Sequence, residues 1–471
     1  MKKYIETADK ILEDIIKNKK VGDKLDASEA LCKKYAVSEI TVKKAMQLLA
    51  ERKIVLRKPK AGTVVIDNQE AKSFNIMSSK KVIRILTIRD WNFSNAIKGI
   101  CHKYSKYNED VSFDIDDELP SFDTSKIYEK ADTDIFLVNT WLMREIVTGE
   151  RVKNFLPFDE IPGLWYEASD SFEEVTKWCT ADSKLMCMPI SFTTVLTCIN
   201  RDKKNALPVS RFENMKLDEF KDILIKSKGA DGDIYPFYVN TTMNRWPLTM
   251  KSLGGELFSK DGKKCLLDSN ECVKAINFML DLMYNSKCCP PVTFSEEMSR
   301  GMRDIFKCGK FTYAWNSGAA MNGNYDFNIA FAPLPYEKRR ASHLLIEGLM
   351  VNRATDKLDT IRDFLNFIQL YENRKFISDN SDGISCNRAM AGIYTEEMNK
   401  KYEGFNHFIK SLEYAEPLVR VPENSLIKKI SEKLYPVWLG VESAKAACRS
   451  ISAEINEDLK MRKKGNSIDE K

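Results

Sequence analysis

Residues 21–65, VGDKLDASEALCKKYAVSEITVKKAMQLLAERKIVLRKPKAGTVV, constrain this chain more tightly than any other stretch. Just before them, Ile5, Ala8, Leu12 and Ile15/Ile16 recur at helical spacing and predict a helix over 3–18. Gly22-Asp23 reads as a turn, and Asp26 with Glu29 as a capping-box-like start to a second helix carrying Leu31 and Tyr35. Ser38 caps a third helix whose buried stripe is Val42, Ala45, Met46 and Leu49. Ile54–Leu56 and Thr63–Ile66 then form a hairpin around Lys58-Pro59-Lys60-Ala61-Gly62. Three helices and a hairpin in this order describe a winged helix-turn-helix over residues 1–66, an α+β unit.

Charge separates this unit from the rest. Residues 1–66 hold 16 Lys+Arg against 9 Asp+Glu, whereas the whole chain is only +5, so the remainder is slightly acidic. A small basic head on a near-neutral body is the asymmetry expected of a nucleic-acid-binding module. The third helix turns Glu39, Thr41, Lys43, Lys44 and Gln47 away from its apolar stripe, and Arg57, Lys58 and Lys60 surround Gly62 in the wing. Such a helix sets its N-terminal half against base edges while lysines meet phosphates.

This segment resembles the GntR family of bacterial regulators. The resemblance rests on Gly22-Asp23-x-Leu25, Leu31, Tyr35, Val37-Ser38, Thr41-Val42, Ala45, Leu48 or Leu49, and Gly62-Thr63-x-Val65. It implies that Ser38, Thr41, Lys43, Lys44 and Gly62 lie at a DNA surface, beside Gln47, Arg57 and Lys60 from the charge pattern. Two positions depart from the family pattern: Glu29 and Glu39 stand where it favours arginine. A carboxylate there repels phosphate but accepts from a cytosine amino group.

The N-terminus, MKKYIETADKILEDIIKNKK, lacks the apolar segment and cleavage site of an export signal, and no apolar run reaches the ~20 residues of a membrane span. The expected compartment is the cytoplasm, with no membrane partner. The twelve cysteines contain no C-x-x-C, Cys288 and Cys289 are adjacent, and only His102, His343 and His407 could assist a metal. Buried thiols are expected, with no metal and no cofactor.

Residues 67–81 are polar and aperiodic, and read as a linker. From 82 onward, strand patterns at Val82–Ile88, Asp134–Asn139, Met186–Ile190 and Val195–Asn200 alternate with helix patterns. The helices are expected at Leu217–Ser227, Cys272–Tyr284, Glu297–Phe306, Asp359–Tyr371 and Ser425–Leu434. Alternation of this kind predicts α/β lobes with mainly parallel sheets. The succession Trp246-Pro247, Leu253-Gly254-Gly255-Glu256, Asp261-Gly262, Gly309-Lys310, Ala314-Trp315-Asn316, Ala332-Pro333-Leu334-Pro335, Glu347-Gly348 and Asp382-Gly383-Ile384 resembles solute-binding proteins of the maltose-binding type. These are extracellular components of ABC importers with a type II periplasmic-binding-protein fold.

That resemblance implies two α/β lobes over 82–465, closing on a ligand by hinge motion. Lobe one is expected at about 82–192 plus 335–383, and lobe two at about 193–334 plus 384–465, with 466–471 as a tail. Ligand contacts are expected at strand ends: Asp90, Trp91 and Asn92, then Trp141, then Ser191 and Phe192, then Trp315 and Asn316. Trp246 and Glu347 complete the set. Aromatic rings beside Asn, Asp and Ser suit a sugar, with its apolar faces and hydroxyl rim.

No Walker loop, G-x-S-x-G or H-E-x-x-H occurs, and no catalytic residue is assigned. The expected function is therefore a transcription regulator rather than an enzyme. It would bind an operator in double-stranded DNA as a homodimer and sense a small molecule, a sugar or oligosaccharide. The alternative is a non-exported solute-binding protein with a degenerate head. A carbohydrate-active enzyme has no residue pair to support it.

Overall fold

A computed structural model of the protein describes residues 3–51, 54–58, 62–66, 81–89, 91–119, 127, 132–229, 235–293, 305–318, 325–417 and 424–466. The chain divides into two compact units. One comprises Met1–Val82 with Tyr104–Phe113, and the other Ile83–Lys103 with Asp114–Lys471.

In the first unit, helices α1 (Lys3–Asn18), α2 (Ser28–Tyr35) and α3 (Glu39–Glu51) precede the strands β1 (Val55–Lys58) and β2 (Gly62–Val65). One apolar cluster unites them. Ala8, Ile11, Leu12 and Ile15 from α1 meet Leu31, the α3 stripe of Val42, Ala45, Met46 and Leu49, and Ile54, Val55 and Val65 of the hairpin. The i, i+3, i+4, i+7 spacing of these residues is what turns one face of each helix inward. The Gly22–Leu25 segment adds a third edge to the hairpin: Gly22 N donates to Val65 O, Val65 N to Asp23 O, and Leu25 N to Thr63 O. Gly22 can start it because its φ of +95° suits glycine.

The start of α2 differs from the sequence reading. Ala27 is its cap residue, and no side chain caps the helix. Glu29 pairs instead with Lys33, one turn on, at 3.2 Å. At α3 the expected cap is present, with Thr41 N donating to Ser38 Oγ at 3.3 Å.

Among the described residues, the chain beyond the winged head forms two main sheets. The larger is built from β3 (Lys81–Ile88), β4 (Val111–Leu119), β5 (Ile135–Asn139), β6 (Phe155–Leu156), β9 (Met188–Thr194), β14 (Ser342–Asn352), β15 (Ile384–Ser385) and β16 (Ala415–Glu416). A separate small hairpin pairs β7 (Thr180–Ala181) with β8 (Lys184–Leu185). The main path of the larger sheet is β15-β9-β14-β5-β3-β4, with β6 and β16 also on β14. The smaller sheet runs β11 (Phe237–Tyr238), β12 (Tyr313–Asn316), β10 (Leu196–Asn200), β13 (Ile329–Ala332). Helices Leu217–Ser227, Asn270–Leu280, Leu358–Gln369 and Asn424–Lys433 lie close to their expected spans. Of the expected helix Glu297–Phe306, most residues fall outside those described.

The sheets are mixed, not mainly parallel. β3/β5 and β11/β12 are parallel. By contrast β14 runs antiparallel to both β5 and β9, and β10 antiparallel to both β12 and β13. The reason lies in the crossings. β9 passes into β10 through Val195 alone, carrying the chain from the larger sheet to the smaller, and β14 brings it back in the opposite direction. Parallel pairs survive where the crossover stays within one lobe. The larger sheet also reaches beyond residue 383, because Ile384 and Ser385 pair with Phe192 and Ser191.

Between Glu347 and Gly348 the β14/β9 register shifts by a bulge. A Cβ on Gly348 would stand 2.5 Å from Cys187 Sγ and 2.8 Å from Met188 O. Gly348→Ala should therefore destabilise the full-length protein by about 1–3 kcal/mol, the usual cost of overpacking. Urea unfolding measures this, and an unchanged midpoint would show that β9 can yield at this point.

Candidate functional site

On α3 the exposed side presents Glu39, Ile40, Lys43, Lys44 and Gln47. Ser38 and Thr41 hydroxyls lie 2.8 Å apart at its start. Glu39 and Lys43 form an ion pair at 2.8 Å, and this contact holds the Glu39 carboxyl below the usual carboxylate range. Lys44 Nζ lies 6.0 Å from the Tyr4 ring centre. Gly62 opens β2 with φ +92°. The side chain of Arg57 and the whole of Lys60 lie outside what the structure describes.

In the body, β14 carries the hub. Glu347 is buried, and its two carboxyl oxygens accept from Trp91 Nε1 at 2.9 Å and from Ser191 Oγ at 2.5 Å. Burial, then the neighbouring charge of Asp382, push its pKa up to about 8, against the opposing pull of those two hydrogen bonds. Asn92 Nδ2 donates to Asp382 Oδ1 at 2.7 Å. Trp91, Asn92, Ser191 and Glu347 are thus brought together, and Asp382 joins them. Asp90 lies outside the described residues.

Trp141 is placed differently. It stands in the first turn of a helix (Thr140–Thr148) capped by Asn139, and its ring belongs to the apolar cluster of the second lobe. Its Nε1 donates to Asn244 Oδ1 at 3.1 Å, and Asn424 Nδ2 donates to its carbonyl. The ring also meets His343 edge-on at 5.9 Å. Burial, with Arg245 and Lys251 nearby, lowers that imidazole to about 3, so it is neutral at physiological pH.

Three expected ligand aromatics are packed inside the lobes. Phe192 is fully buried against Phe172. Trp246 is fully buried against Trp438. Trp315, 3% exposed, stacks on Phe220 and meets Phe237 edge-on. Trp315 stands near its expected strand end, but Phe192 lies within β9 rather than past its end, and Trp246 begins a short helix (Trp246–Ser252); all three rings are turned into the core. Asn316, next along, is half-buried and accepts from Arg245 Nη2 at 3.4 Å.

Sequence reasoning missed Asp382, Asn244, Arg245 and Asn424 as site residues. Arg245 is buried and also donates to Trp315 O at 3.0 Å, so it braces the end of β12. A groove of about 910 Å³ beside β16 was also missed. It is lined by Lys177, Trp178, Arg339, Arg340, Glu413, Tyr414, Ala415 and Glu416. The adjacent Lys177-Trp178 and Arg339-Arg340 pairs were its only trace in the sequence.

Two lobes sharing crossing strands, with polar groups gathered where those strands pass, define a solute-binding protein fold. Residues 123–375 match the family of bacterial extracellular solute-binding proteins, and the chain belongs to it. Residues 3–65 match the gntR family of bacterial regulatory proteins, so a regulator's head precedes that body. Among solved structures, an ABC substrate-binding protein of Listeria monocytogenes in complex with cycloalternan is 17% identical with a TM-score of 0.67, covering 81% of this chain and 98% of its own. The maltose-bound MalE3 of T. maritima is 17% identical at TM-score 0.63, covering 79% and 98%. The GacH receptor of Streptomyces glaucescens, solved unliganded and with acarbose, is 15% identical at TM-score 0.63, covering 81% and 99%. At these identities the likeness is one of fold.

The Glu347 carboxyl makes the body's stability depend on pH. Its folded pKa of about 8 lies above the ordinary value of 4.5, so the folded state holds a proton the unfolded chain releases. Stability from this group is complete below about pH 4.5 and falls as pH rises to about 8, by at most about 1.4 kcal/mol per pH unit. Glu347→Gln should flatten that fall. Urea midpoints of both proteins between pH 5 and 8 test it, and parallel curves would count against the assignment.

Proposed function

We propose that the protein is a DNA-binding transcription regulator whose solute-binding body senses a sugar or oligosaccharide and transmits its presence to the operator. One observation carries this reading: a single chain joins a match to the gntR family with a body of the solute-binding family. Both descriptions concern regulation or binding, and neither names a reaction. Three fold neighbours are recorded with cycloalternan, maltose and acarbose, which directs the choice of effector toward glucan-like oligosaccharides. The polar cluster of Trp91, Asn92, Ser191, Glu347 and Asp382 suits a hydroxyl-bearing ligand.

In this reading α3 enters the major groove, with Ser38, Thr41, Lys43, Lys44 and Gln47 toward the DNA and the wing residues Arg57, Lys60 and Gly62 toward the flanking backbone. Two copies bind a palindrome whose half-sites lie about 34–36 Å apart. The protein works in the cytoplasm, where its operator is. Ligand binding shifts one lobe against the other about β9 and β14, and that shift alters the spacing of the two heads. A coupling of about 1–3 kcal/mol changes operator affinity about 5–150-fold.

A second reading, a solute-binding protein whose head no longer binds DNA, has one observation in its favour. Glu29 and Glu39 take up Lys33 and Lys43 in ion pairs on the helix surfaces. Duplex binding by the full chain decides between the two. The regulator binds with an affinity that falls steeply with salt, because phosphate contacts release counterions. Maltose, acarbose or cycloalternan, tested in turn, should raise the melting temperature and move the midpoint of the DNA titration. Absence of duplex binding at low salt would establish the second reading, and a midpoint indifferent to every sugar that raises the melting temperature would remove the coupling.

A further inference from the structure

The outward side of α3 is polar except at one position. Glu39, Lys43, Lys44 and Gln47 are exposed, and among them stands Ile40, 69% exposed. The helix has no internal use for this side chain. Its buried stripe is complete without it, since Val42, Ala45, Met46 and Leu49 fill the cluster shared with α1 and the hairpin. Directly before it, Glu39 is held at 2.8 Å by Lys43 one turn further on. The first turn therefore offers an apolar branched group beside a carboxylate whose charge is already balanced.

The major groove contains one apolar group for such a side chain to meet, the C5-methyl of thymine. It also contains one amino donor on a pyrimidine, N4 of cytosine, which suits a carboxylate acceptor. A carboxylate facing guanine would meet only the O6 and N7 acceptors and be repelled. Balanced by Lys43, Glu39 can lie near the backbone without the full repulsion of an unpaired acid.

We propose that Ile40 selects thymine through its methyl group and that Glu39, steadied by Lys43, accepts from the amino group of a neighbouring cytosine. The operator half-site thus carries adjacent T·A and C·G pairs beneath the first turn of α3. This inference rests on the DNA-binding reading above and specifies the sequence that reading leaves open.

The test uses the full-length protein. Duplexes selected from a randomised pool give the preferred half-site, and uracil is then placed at each thymine in turn, which removes only the methyl. One uracil position per half-site should weaken binding by about three- to five-fold, the value of one buried methyl-sized group. Ile40→Ala should bind thymine and uracil duplexes alike at that position. Glu39→Gln should keep the uracil sensitivity while losing discrimination at the adjacent C·G pair. Equal binding of every uracil duplex by the unaltered protein, or an undiminished uracil effect in Ile40→Ala, overturns the proposal. A chain that binds duplexes in a salt-dependent manner but ignores the methyl fails here alone, whereas one that binds no duplex at low salt fails at the earlier reading as well.

Discussion

The antiparallel pairing of β9 with β14 is the constraint on which the body depends. It runs from Thr194 opposite Leu344 to Met188 opposite Leu349. Ser191 reaches Glu347 from β9, and Asp382 arrives on the approach to β15, which is itself paired to β9. Asn139, at the end of β5, stands opposite Glu347 on the other side of β14. Because side chains alternate faces along a strand, one residue of slippage would turn Glu347 away from Ser191. The bulge at Glu347/Gly348 adjusts that alternation at the place where the hub is needed. The absence of a side chain on Gly348 is what lets Cys187 and Met188 close in behind it.

Charge is handled differently at two places along β14. Around Glu347, two acidic groups are neighbours and burial keeps one of them protonated near neutrality. Around His343 the groups are basic, and burial keeps the imidazole uncharged. Lys251, almost wholly buried, is neutralised by Glu256 at 2.6 Å and Glu416 at 2.7 Å, while Arg339 shares Glu256 at 2.8 Å. A buried cation of this kind is tolerated because both of its partners stay in place. Glu416 belongs to β16, so this ion cluster ties a late segment of the chain to the helix Trp246–Ser252 that carries Lys251.

Much of this was legible in the sequence, for local reasons. The head could be read because Leu12, Leu31, Val42 and Leu49 repeat at helical spacing and Gly22 and Gly62 mark the turns. The strands β3, β5, β9 and β10 could be read from their apolar runs, whereas β4 could not, because Asp114, Asp116, Asp117 and Glu118 break its apolar pattern. The cap of α2 could not, because Asp26 and Ala27 compete for the position and the backbone chose the alanine. The expectation of parallel sheets failed because nothing local announces that a strand will cross into another lobe and return. The site was half legible. Trp91, Ser191 and Glu347 stand out singly, but the contact between Trp91 and Glu347 joins residues 256 apart in the chain. A strand end fixes where Trp315 sits and leaves open which face its ring takes, and nothing local in the sequence shows that Trp246 begins a buried helix.

Trp141 illustrates what such a placement entails. It enters the cluster of the second lobe from a helix that begins at the end of a first-lobe strand. Moving the lobes apart must draw this indole out of its apolar surroundings and into water, together with its bonds to Asn244 and Asn424. An indole carries a large hydrophobic area, so that motion is opposed by the same force that folds the lobe. The burial of this one ring thus opposes any motion that would expose it.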